Sequence, residues 1–414
     1  MVEITLNRPP LVRVMNGVGS ALSAVGVKAP EFSVASLTKT AKKISGHGDF
    51  GSDSYLAGLE PLIYSLENEA KLHQLGRLVL HRQIAGALAS RLSIVAWEKA
   101  NPELAQAEIK APLVIMGLPR TGTTILYEML AADPQARAPL TWECRDFALA
   151  HAAAKDPEND PRIQKLGRQM AQVDRMMPGF TAIHHFGPFI PTECIGLTLL
   201  DLASEQLCAL AWLPTYRKFL IENSFESAYH WHKRGLRYLQ ATQPEKNWVL
   251  KTPMHAGYLP AFFAEYPNAQ LIHTHRDPLS TSASVASLYN VSRSGWSDHV
   301  DVKTYAPQDA AYYAEMTHRV TAFRAANPDM EAQFCDIGFK DFMSDPMPQI
   351  QKIYSSFNRE LSDEAFAAID TYLKNRPQDK YGRHKYDPAD FGFSREGVDE
   401  EFGDYLARFG SYVF

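Results

Sequence analysis

The side chains best suited to chemistry lie in one short loop, residues 117–124, which reads Gly-Leu-Pro-Arg-Thr-Gly-Thr-Thr. The loop follows an apolar run, residues 112–116, which predicts a buried strand, and it opens a segment of helical periodicity, residues 123–132. Glycine allows backbone angles that other residues avoid, so successive N–H groups can converge on one oxyanion at the positive end of the helix. The sequence therefore predicts a site for phosphate or a closely related anion.

The charge in this loop distinguishes it from the P-loop of nucleotide-triphosphate enzymes. Its two glycines and the hydroxyl side chain after them have the P-loop spacing, but Thr123 replaces the lysine that would contact the β- and γ-phosphates. The positive charge lies earlier, on Arg120. This difference argues against a triphosphate ligand. A tight strand-to-helix turn that binds nothing is the simplest alternative.

A second pattern of the same kind lies at residues 271–278, where an apolar strand is followed by Arg276, Asp277 and Pro278. Aspartate suits the N-cap of a helix and proline its first position, so Arg276 would stand at the tip of the strand. Ligands of parallel sheets bind beyond the carboxyl ends of the strands, where Arg120 would also lie. Along the predicted helix, hydroxyl side chains recur on one face at Ser280, Ser284 and Ser287.

Together the two patterns resemble those of the sulfotransferases that use 3′-phosphoadenosine 5′-phosphosulfate (PAPS). The loop is similar to the Pro-(Lys/Arg)-(Ser/Thr)-Gly-Thr-Thr segment that binds the 5′-phosphosulfate in this family. Arg276 and, eight residues later, Ser284 match the arginine and serine that hold the 3′-phosphate. The resemblance implies cofactor contacts from the loop residues Pro119, Arg120, Thr121, Gly122, Thr123 and Thr124.

The resemblance extends to residues that would act in the reaction. Residues 248–255 resemble the Lys-Ser/Thr-Pro-x-His segment of bacterial sulfotransferases, which implies Lys251 as a charge-stabilising residue and His255 as one candidate base. His255 stands two residues later than the histidine base of the animal cytosolic enzymes. Residues 140–145 resemble the Glu-x-Arg of the tyrosylprotein sulfotransferases, which implies Glu143 as the catalytic base. We expect Glu143 to be the base and His255 the alternative.

A basic segment near the C-terminus, residues 381–386, resembles one that closes over the cofactor in the bacterial family. Arg383 and His384 would then contact the cofactor. The Arg-Lys-Gly of the animal enzymes is not reproduced, and a solvated basic loop is the alternative.

The resemblance covers roughly residues 112–386 and implies in-line transfer of a sulfuryl group from PAPS to an acceptor hydroxyl, with 3′,5′-ADP as the product. No metal is expected in the reaction, because Arg120, Lys251 and the loop amides can carry the charge of the leaving phosphate. A P-loop NTPase or kinase is the main rival. A non-catalytic nucleotide-binding protein is the third candidate, since it would need the loop and Arg276 but neither Glu143 nor Lys251.

Composition limits the partners. With 42 basic and 47 acidic residues, the net charge of -5 does not indicate the broad basic surface of a nucleic-acid-binding protein. The sequence around His230 and His232 suggests a metal, but no cysteine or carboxylate nearby has ligand spacing. The four cysteines lack a C-x-x-C pair, so neither a metal site nor a disulfide framework is expected, and a cytoplasmic location fits best. They are Cys144, Cys194, Cys208 and Cys335.

The elements that must position these residues follow an α/β pattern. Short apolar strands alternate with helices, which predicts a P-loop-like parallel sheet flanked by helices, with right-handed crossovers. We place strands near residues 113–116, 248–251, 271–274 and 332–336, and helices at 123–132, 256–266 and 278–289.

We predict an N-terminal helical region, residues 1–110, with clear periodicity over 55–105, followed by a sulfotransferase domain, residues 111–414. A helical insertion occupies about residues 142–245, with helices at 163–177, 193–205 and 226–240. Its larger apolar side chains either line a pocket for a small-molecule, lipid or carbohydrate acceptor or pack the insertion together. They are Met176, Met177, Phe180, Phe186, Phe189, Trp212 and Tyr216.

The N-terminus contains an apolar stretch, residues 12–27, that could lie against a membrane or a partner, and a docked helix is the simpler interpretation. It lacks the long uninterrupted apolar run of a secretory signal or a membrane span. The sequence is also compatible with a homo-oligomer.

Overall fold

The computed structural model describes residue 17 and residues 30–173, 187–376 and 387–414. Its centre is a five-stranded sheet with the strand order β2-β3-β1-β4-β5, in which every neighbouring pair is parallel. The P-loop-like parallel α/β class predicted from the sequence is confirmed. The strands are β1 (Leu113–Gly117), β2 (Ala136–Arg137), β3 (Asn247–Lys251), β4 (Gln270–His275) and β5 (Phe334–Gly338).

Alternate residues of the central strand face two separate cores. Val114 and Met116 pack into one, and Leu113 and Ile115 pack into the other, so both faces of β1 are buried. A strand covered on both faces favours the uninterrupted apolar run seen in the sequence. The register pairs Ile115 with Lys251 of β3 and Gly117 with Thr274 of β4. The carboxyl ends of these three strands therefore meet at one edge of the sheet.

Within residues 30–112, three α-helices precede the sheet: α1 (Val34–Ser45), α2 (Tyr55–Asn68) and α3 (Gln74–Ala100). The periodicity predicted over residues 55–105 is confirmed as α2 and α3. The guanidinium of Arg91, from the buried face of α3, pairs with Asp201 at 2.7 Å and stacks on Trp231 at 3.5 Å. This buried contact joins the N-terminal helices to the helical insertion.

The insertion follows α4 (Thr123–Ala131) and β2. The helix predicted over 226–240 is confirmed, but residues 193–205 do not form one helix, because Leu202 adopts a left-handed conformation with φ 51°. Of residues 163–177, only the part before residue 174 lies in the described ranges. In the described parts of the insertion, residues 142–173 and 187–245, and at its start the helices are α5 (Thr141–Arg145), α6 (Phe147–Ala152), α7 (Pro161–Met170), α8 (Ile195–Thr198), α9 (Gln206–Leu210), α10 (Pro214–Glu222) and α11 (Glu226–Gln240).

The C-terminal half completes both layers around the sheet. The helix predicted over 256–266 is divided, because a 3-10 turn precedes α12, and the last strand begins two residues later than predicted. The helices are α12 (Leu259–Glu265), α13 (Pro278–Ser294), α14 (Val302–Ala326), α15 (Phe339–Ser344), α16 (Pro346–Ser356), α17 (Asp363–Asn375), α18 (Arg395–Glu401) and α19 (Gly403–Val413). The 3-10 turns are Leu104–Gln106, Leu199–Asp201, Pro253–Gly257, Pro328–Gln333 and Pro388–Phe391.

None of the described helices combines the length and the apolar character that a membrane crossing requires. Apart from Gly17, residues 12–27 lie outside the described residues.

We predict that Arg91→Met lowers the free energy of unfolding by about 3–5 kcal/mol, since it leaves the Asp201 carboxylate buried without its partner. Urea denaturation followed by circular dichroism measures this change. Lys99→Met on the same helix is the matched control, because Lys99 and Asp49 form an ion pair with side chains 66% and 56% exposed. Equal losses for the two variants would show that the buried pair does not hold the N-terminal helices.

Candidate active site

The loop between β1 and α4 has three residues with positive φ: Gly117 at 135°, Arg120 at 68° and Gly122 at 82°. Gly122 is the N-cap of α4, and because it has no capping side chain, the first N–H groups of the helix can donate to an anion. Arg120 is unusual, since a non-glycine residue with positive φ is strained, and such strain is concentrated at functional sites.

Close packing against β4 holds the loop in this shape. A Cβ atom added at Gly117 would lie 2.4 Å from the carbonyl oxygen of Thr274, so only glycine permits this approach of the two strands. The hydroxyl of Thr121 donates to the carbonyl of Leu118 at 2.7 Å and lies 2.6 Å from the hydroxyl of Thr274. The buried Thr121 side chain therefore stabilises the loop from within.

Arg120 is the point where the two sequence patterns meet. Its Nε donates to the hydroxyl of Ser284 at 3.1 Å, and its carbonyl accepts from Nη1 of Arg276 at 2.7 Å. The guanidinium of Arg276 also lies 4.0 Å from the ring centroid of Phe339. The structure thus brings together Arg120, Arg276 and Ser284, which are widely separated in sequence.

The helix that carries Ser284 begins where the sequence predicted. Asp277 caps α13 by accepting from the N–H groups of Leu279 and Ser280, and Pro278 is the first helical residue. Burial alone would raise the pKa of Asp277, but hydrogen bonds from Arg395 and Ser280 lower it to about 2. The charged cap fixes the direction in which Arg276 leaves β4.

Lys251 lies on the other side of the loop, at the end of β3. Its side chain is only 3% exposed, and its Nζ lies 3.5 Å from the hydroxyl of Thr124 and 2.5 Å from Oε1 of Glu193. Sequence reasoning missed Glu193, because no recognised motif contains it and its contact with Lys251 forms only in the folded chain. Its side chain is 22% exposed.

Glu143 lies in a buried ion pair. Its Oε1 accepts from Nη2 of Arg137 at 2.6 Å, and its Oε2 accepts from the N–H of Leu140 at 2.9 Å. Arg137 belongs to β2, a two-residue strand that the sequence pattern did not predict. Both carboxylate oxygens therefore already have donors, which stabilise the turn between β2 and α5.

His255 lies in the aromatic core behind β3 and is fully buried. Its Nδ1 lies 2.9 Å from the hydroxyl of Tyr229, and its ring packs against Phe262. Burial, reinforced by the nearby His232, lowers the pKa of His255 well below its ordinary value. His255 is therefore a buried core residue in this structure.

Several predicted residues fall outside the described ranges: Arg383, His384, Met176, Met177, Phe180 and Phe186. Of the other predicted pocket residues, Tyr216 is fully buried and Trp212 stacks on Tyr305 at 4.1 Å between ring centroids, so both pack the insertion. Phe189 is 41% exposed and is the remaining one that could meet an acceptor.

A glycine loop between a central strand and a helix, with two arginines and a lysine at the same edge of a parallel sheet, defines a P-loop-like anion-binding protein. The sequence pattern of the sulfotransferase family matches residues 112–363, and the chain belongs to that family. The protein is a sulfotransferase, as the sequence motifs predicted.

Several proteins similar to this chain come from mycobacteria. The chain is 23% identical over 316 residues to the omega-hydroxy-beta-dihydromenaquinone-9 sulfotransferase Stf3 of Mycobacterium bovis and of Mycobacterium tuberculosis, covering 72% of this chain and 75% of the relative. The crystal structure of sulfotransferase STF1 from Mycobacterium tuberculosis is similar, with 30% identity, a TM-score of 0.78 and coverage of 91% of this chain and 99% of that one. Sulfotransferase STF9 from Mycobacterium avium has 26% identity and a TM-score of 0.80, covering 91% and 96%.

We predict that Gly117→Ala lowers the free energy of unfolding by at least about 2 kcal/mol, because it combines an unfavourable φ with a clash against Thr274. Urea denaturation measures the loss. Gly86→Ala is the control: a Cβ there meets nothing within 4 Å, and alanine should stabilise helix α3 by about 0.5–1 kcal/mol. If Gly117→Ala is as stable as the wild type, the β1–β4 approach does not require glycine.

Proposed function

We propose that the protein transfers a sulfuryl group from PAPS to a hydroxyl of a small-molecule, lipid or carbohydrate acceptor and releases 3′,5′-ADP. The observation that carries this proposal is the meeting of Arg120, Arg276 and Ser284 beside the glycine loop. A nucleotide with phosphates at both its 3′ and 5′ positions requires two groups of anion donors a short distance apart. A triphosphate would instead require a lysine in this loop to contact its β- and γ-phosphates, and Thr123 stands at that position.

The donors fit such a nucleotide. The N–H groups at the start of α4, with Arg120 and Lys251, would hold the 5′-phosphosulfate, while Arg276 and Ser284 would hold the 3′-phosphate. When bound, PAPS supplies the sulfuryl group that is transferred. The cationic groups of Arg120 and Lys251 would stabilise the negative charge that the nucleotide gains when the sulfuryl group leaves it.

Three residues compete for the role of base, and we favour Glu193. Its carboxylate is partly exposed and lies beside Lys251, close to the start of α4. Both oxygens of Glu143 already accept hydrogen bonds, and His255 is fully buried. A base must lie within hydrogen-bonding reach of the acceptor hydroxyl. Of the three candidates, Glu193 would need the smallest movement of its side chain to reach a hydroxyl bound beside the loop.

We further propose an apolar acceptor that carries a hydroxyl group. The name of the Stf3 relatives describes sulfation of an omega-hydroxy dihydromenaquinone, which supports this class of acceptor for the present chain. The ring of Phe189, which lies four residues before Glu193 in the sequence, is exposed and offers apolar surface for such an acceptor. A cytoplasmic location is supported by the four cysteines, none of which forms a disulfide.

The nucleotide site is tested by calorimetric titration with 3′,5′-ADP and 5′-AMP without added metal. Arg276→Ala should weaken 3′,5′-ADP binding roughly ten- to hundredfold, because a charge-assisted hydrogen bond contributes about 1.5–3 kcal/mol, and it should change 5′-AMP binding little. Arg162→Ala, a change at an exposed arginine of α7, is the matched control.

Three outcomes would contradict the proposed function. Equal weakening of both nucleotides would mean that Arg276 only supports the carbonyl of Arg120. A larger rise in melting temperature with Mg-ATP than with 3′,5′-ADP would favour the NTPase or kinase. Binding of 3′,5′-ADP without turnover on any acceptor would favour a non-catalytic nucleotide-binding protein.

The base is tested by measuring turnover of PAPS with acceptors from a host extract, with the sulfated products identified by mass spectrometry. Glu193→Gln should lower kcat by roughly 10²–10⁴ and leave 3′,5′-ADP affinity within a few fold, since the change removes a proton acceptor and keeps the shape. Glu143→Gln is the matched comparison and should reduce stability more than rate. If Glu193→Gln keeps more than about a tenth of the rate while Glu143→Gln is inactive, the base is Glu143. If Glu193→Gln keeps that rate while His255→Ala is inactive, the base is His255.

A further inference from the structure

Three metal-ligating side chains converge in the core behind the active site. Cys194 lies just before α8, His232 lies on α11, and His255 lies in the 3-10 turn after β3. One ligand atom from each lies within 4.8 Å of the other two, and all three residues are fully buried. A tetrahedral zinc site with bonds of about 2.0–2.3 Å places its ligand atoms roughly 3.5 Å apart, so metal binding would draw the three atoms together by up to about 1.3 Å.

In each of the two histidines, one ring nitrogen is hydrogen-bonded and the other is available to a metal. The Nε2 atoms of both His232 and His255 are buried without a hydrogen-bond partner, which is costly for polar groups. Their Nδ1 atoms lie 2.7 Å from the hydroxyl of Tyr266 and 2.9 Å from that of Tyr229, respectively. When each tyrosine oxygen accepts the Nδ1–H, both Nε2 atoms carry a lone pair. A metal-bound histidine usually donates its other ring N–H to an acceptor in this way.

Binding of a metal by this cluster would change the protonation of one side chain. A divalent cation would displace the proton of the Cys194 thiol and leave a thiolate, whose negative charge the cation compensates.

The second cluster of this kind among the described residues lacks these features. His273, His275 and Asp336 also converge, but Asp336 accepts from Arg324 at 2.7 and 2.8 Å and lies 2.8 Å from Nε2 of His275. A guanidinium already neutralises that carboxylate, so the cluster is a closed hydrogen-bond network.

We propose that Cys194, His232 and His255 bind a borderline-soft divalent transition metal, Zn²⁺ above all, through one thiolate and two imidazoles. Three protein ligands leave a fourth tetrahedral position for water. The metal has a structural role, because Cys194 follows Glu193 and its N–H donates to the carbonyl of Lys251 at 2.9 Å. The ion thereby anchors the segment that holds the Glu193–Lys251 pair, and the sulfuryl transfer itself does not involve it.

Metal content and cobalt spectroscopy of the full chain test this site. Elemental analysis of the purified protein should find about one zinc per chain, because the three ligands come from a single chain. Addition of Co²⁺ to chelator-treated protein should produce visible d–d bands and a thiolate-to-cobalt charge-transfer band. Cys194→Ser and His232→Gln should each lose most of the zinc, and Cys194→Ser should lose the charge-transfer band.

Cys208→Ser is the matched control, since Cys208 is equally buried but is absent from the cluster, and it should keep both the zinc and the band. Zinc that remains in Cys194→Ser would place the metal elsewhere and overturn the proposal. If the wild type contains no zinc and shows no thiolate-to-cobalt band, the three side chains surround a buried water or pack without a ligand. The wild-type cobalt spectrum decides the matter even if Cys194→Ser does not fold.

Discussion

The close approach of β1 and β4 at Gly117 is the constraint on which the active site depends. No side chain fits between Gly117 and the Thr274 backbone, so the two central strands end side by side and the loop must turn sharply over β4. That turn places Arg120 next to the residues that leave the tip of β4. A larger residue at Gly117 would separate the loop from the strand that carries Arg276.

The loop and the neighbouring helices then form a small network of cations and hydroxyls. Arg120 has a strained backbone with positive φ. In this conformation its carbonyl accepts a hydrogen bond from Arg276 and its side chain donates one to Ser284. These contacts tie the glycine loop to the end of β4 and to the face of α13 that carries Ser284. They place the residues proposed to hold the two ends of the nucleotide in one hydrogen-bonded group.

On the opposite side of the loop, Lys251 and Glu193 form a pair of opposite charge that is close to α4. An anion bound by the loop would compete with Glu193 for the ammonium group, and this competition would release the carboxylate as the site fills. The segment that carries Glu193 is also tied to β3 through the N–H of Cys194.

The sequence alone determined the strand-loop-helix, the position of Arg276 before its helix and the sulfotransferase class, because each depends on residues that are neighbours in the chain. Glycine spacing, the Asp277 cap and the uninterrupted apolar run of β1 are local signals of this kind. The tertiary structure decided the rest. Glu193 meets Lys251, Arg137 meets Glu143, and Cys194 meets two histidines only after the insertion has folded back onto the sheet. Such contacts join residues far apart in the chain, so no local periodicity or spacing indicates them, and a two-residue strand such as β2 is too short to produce a pattern.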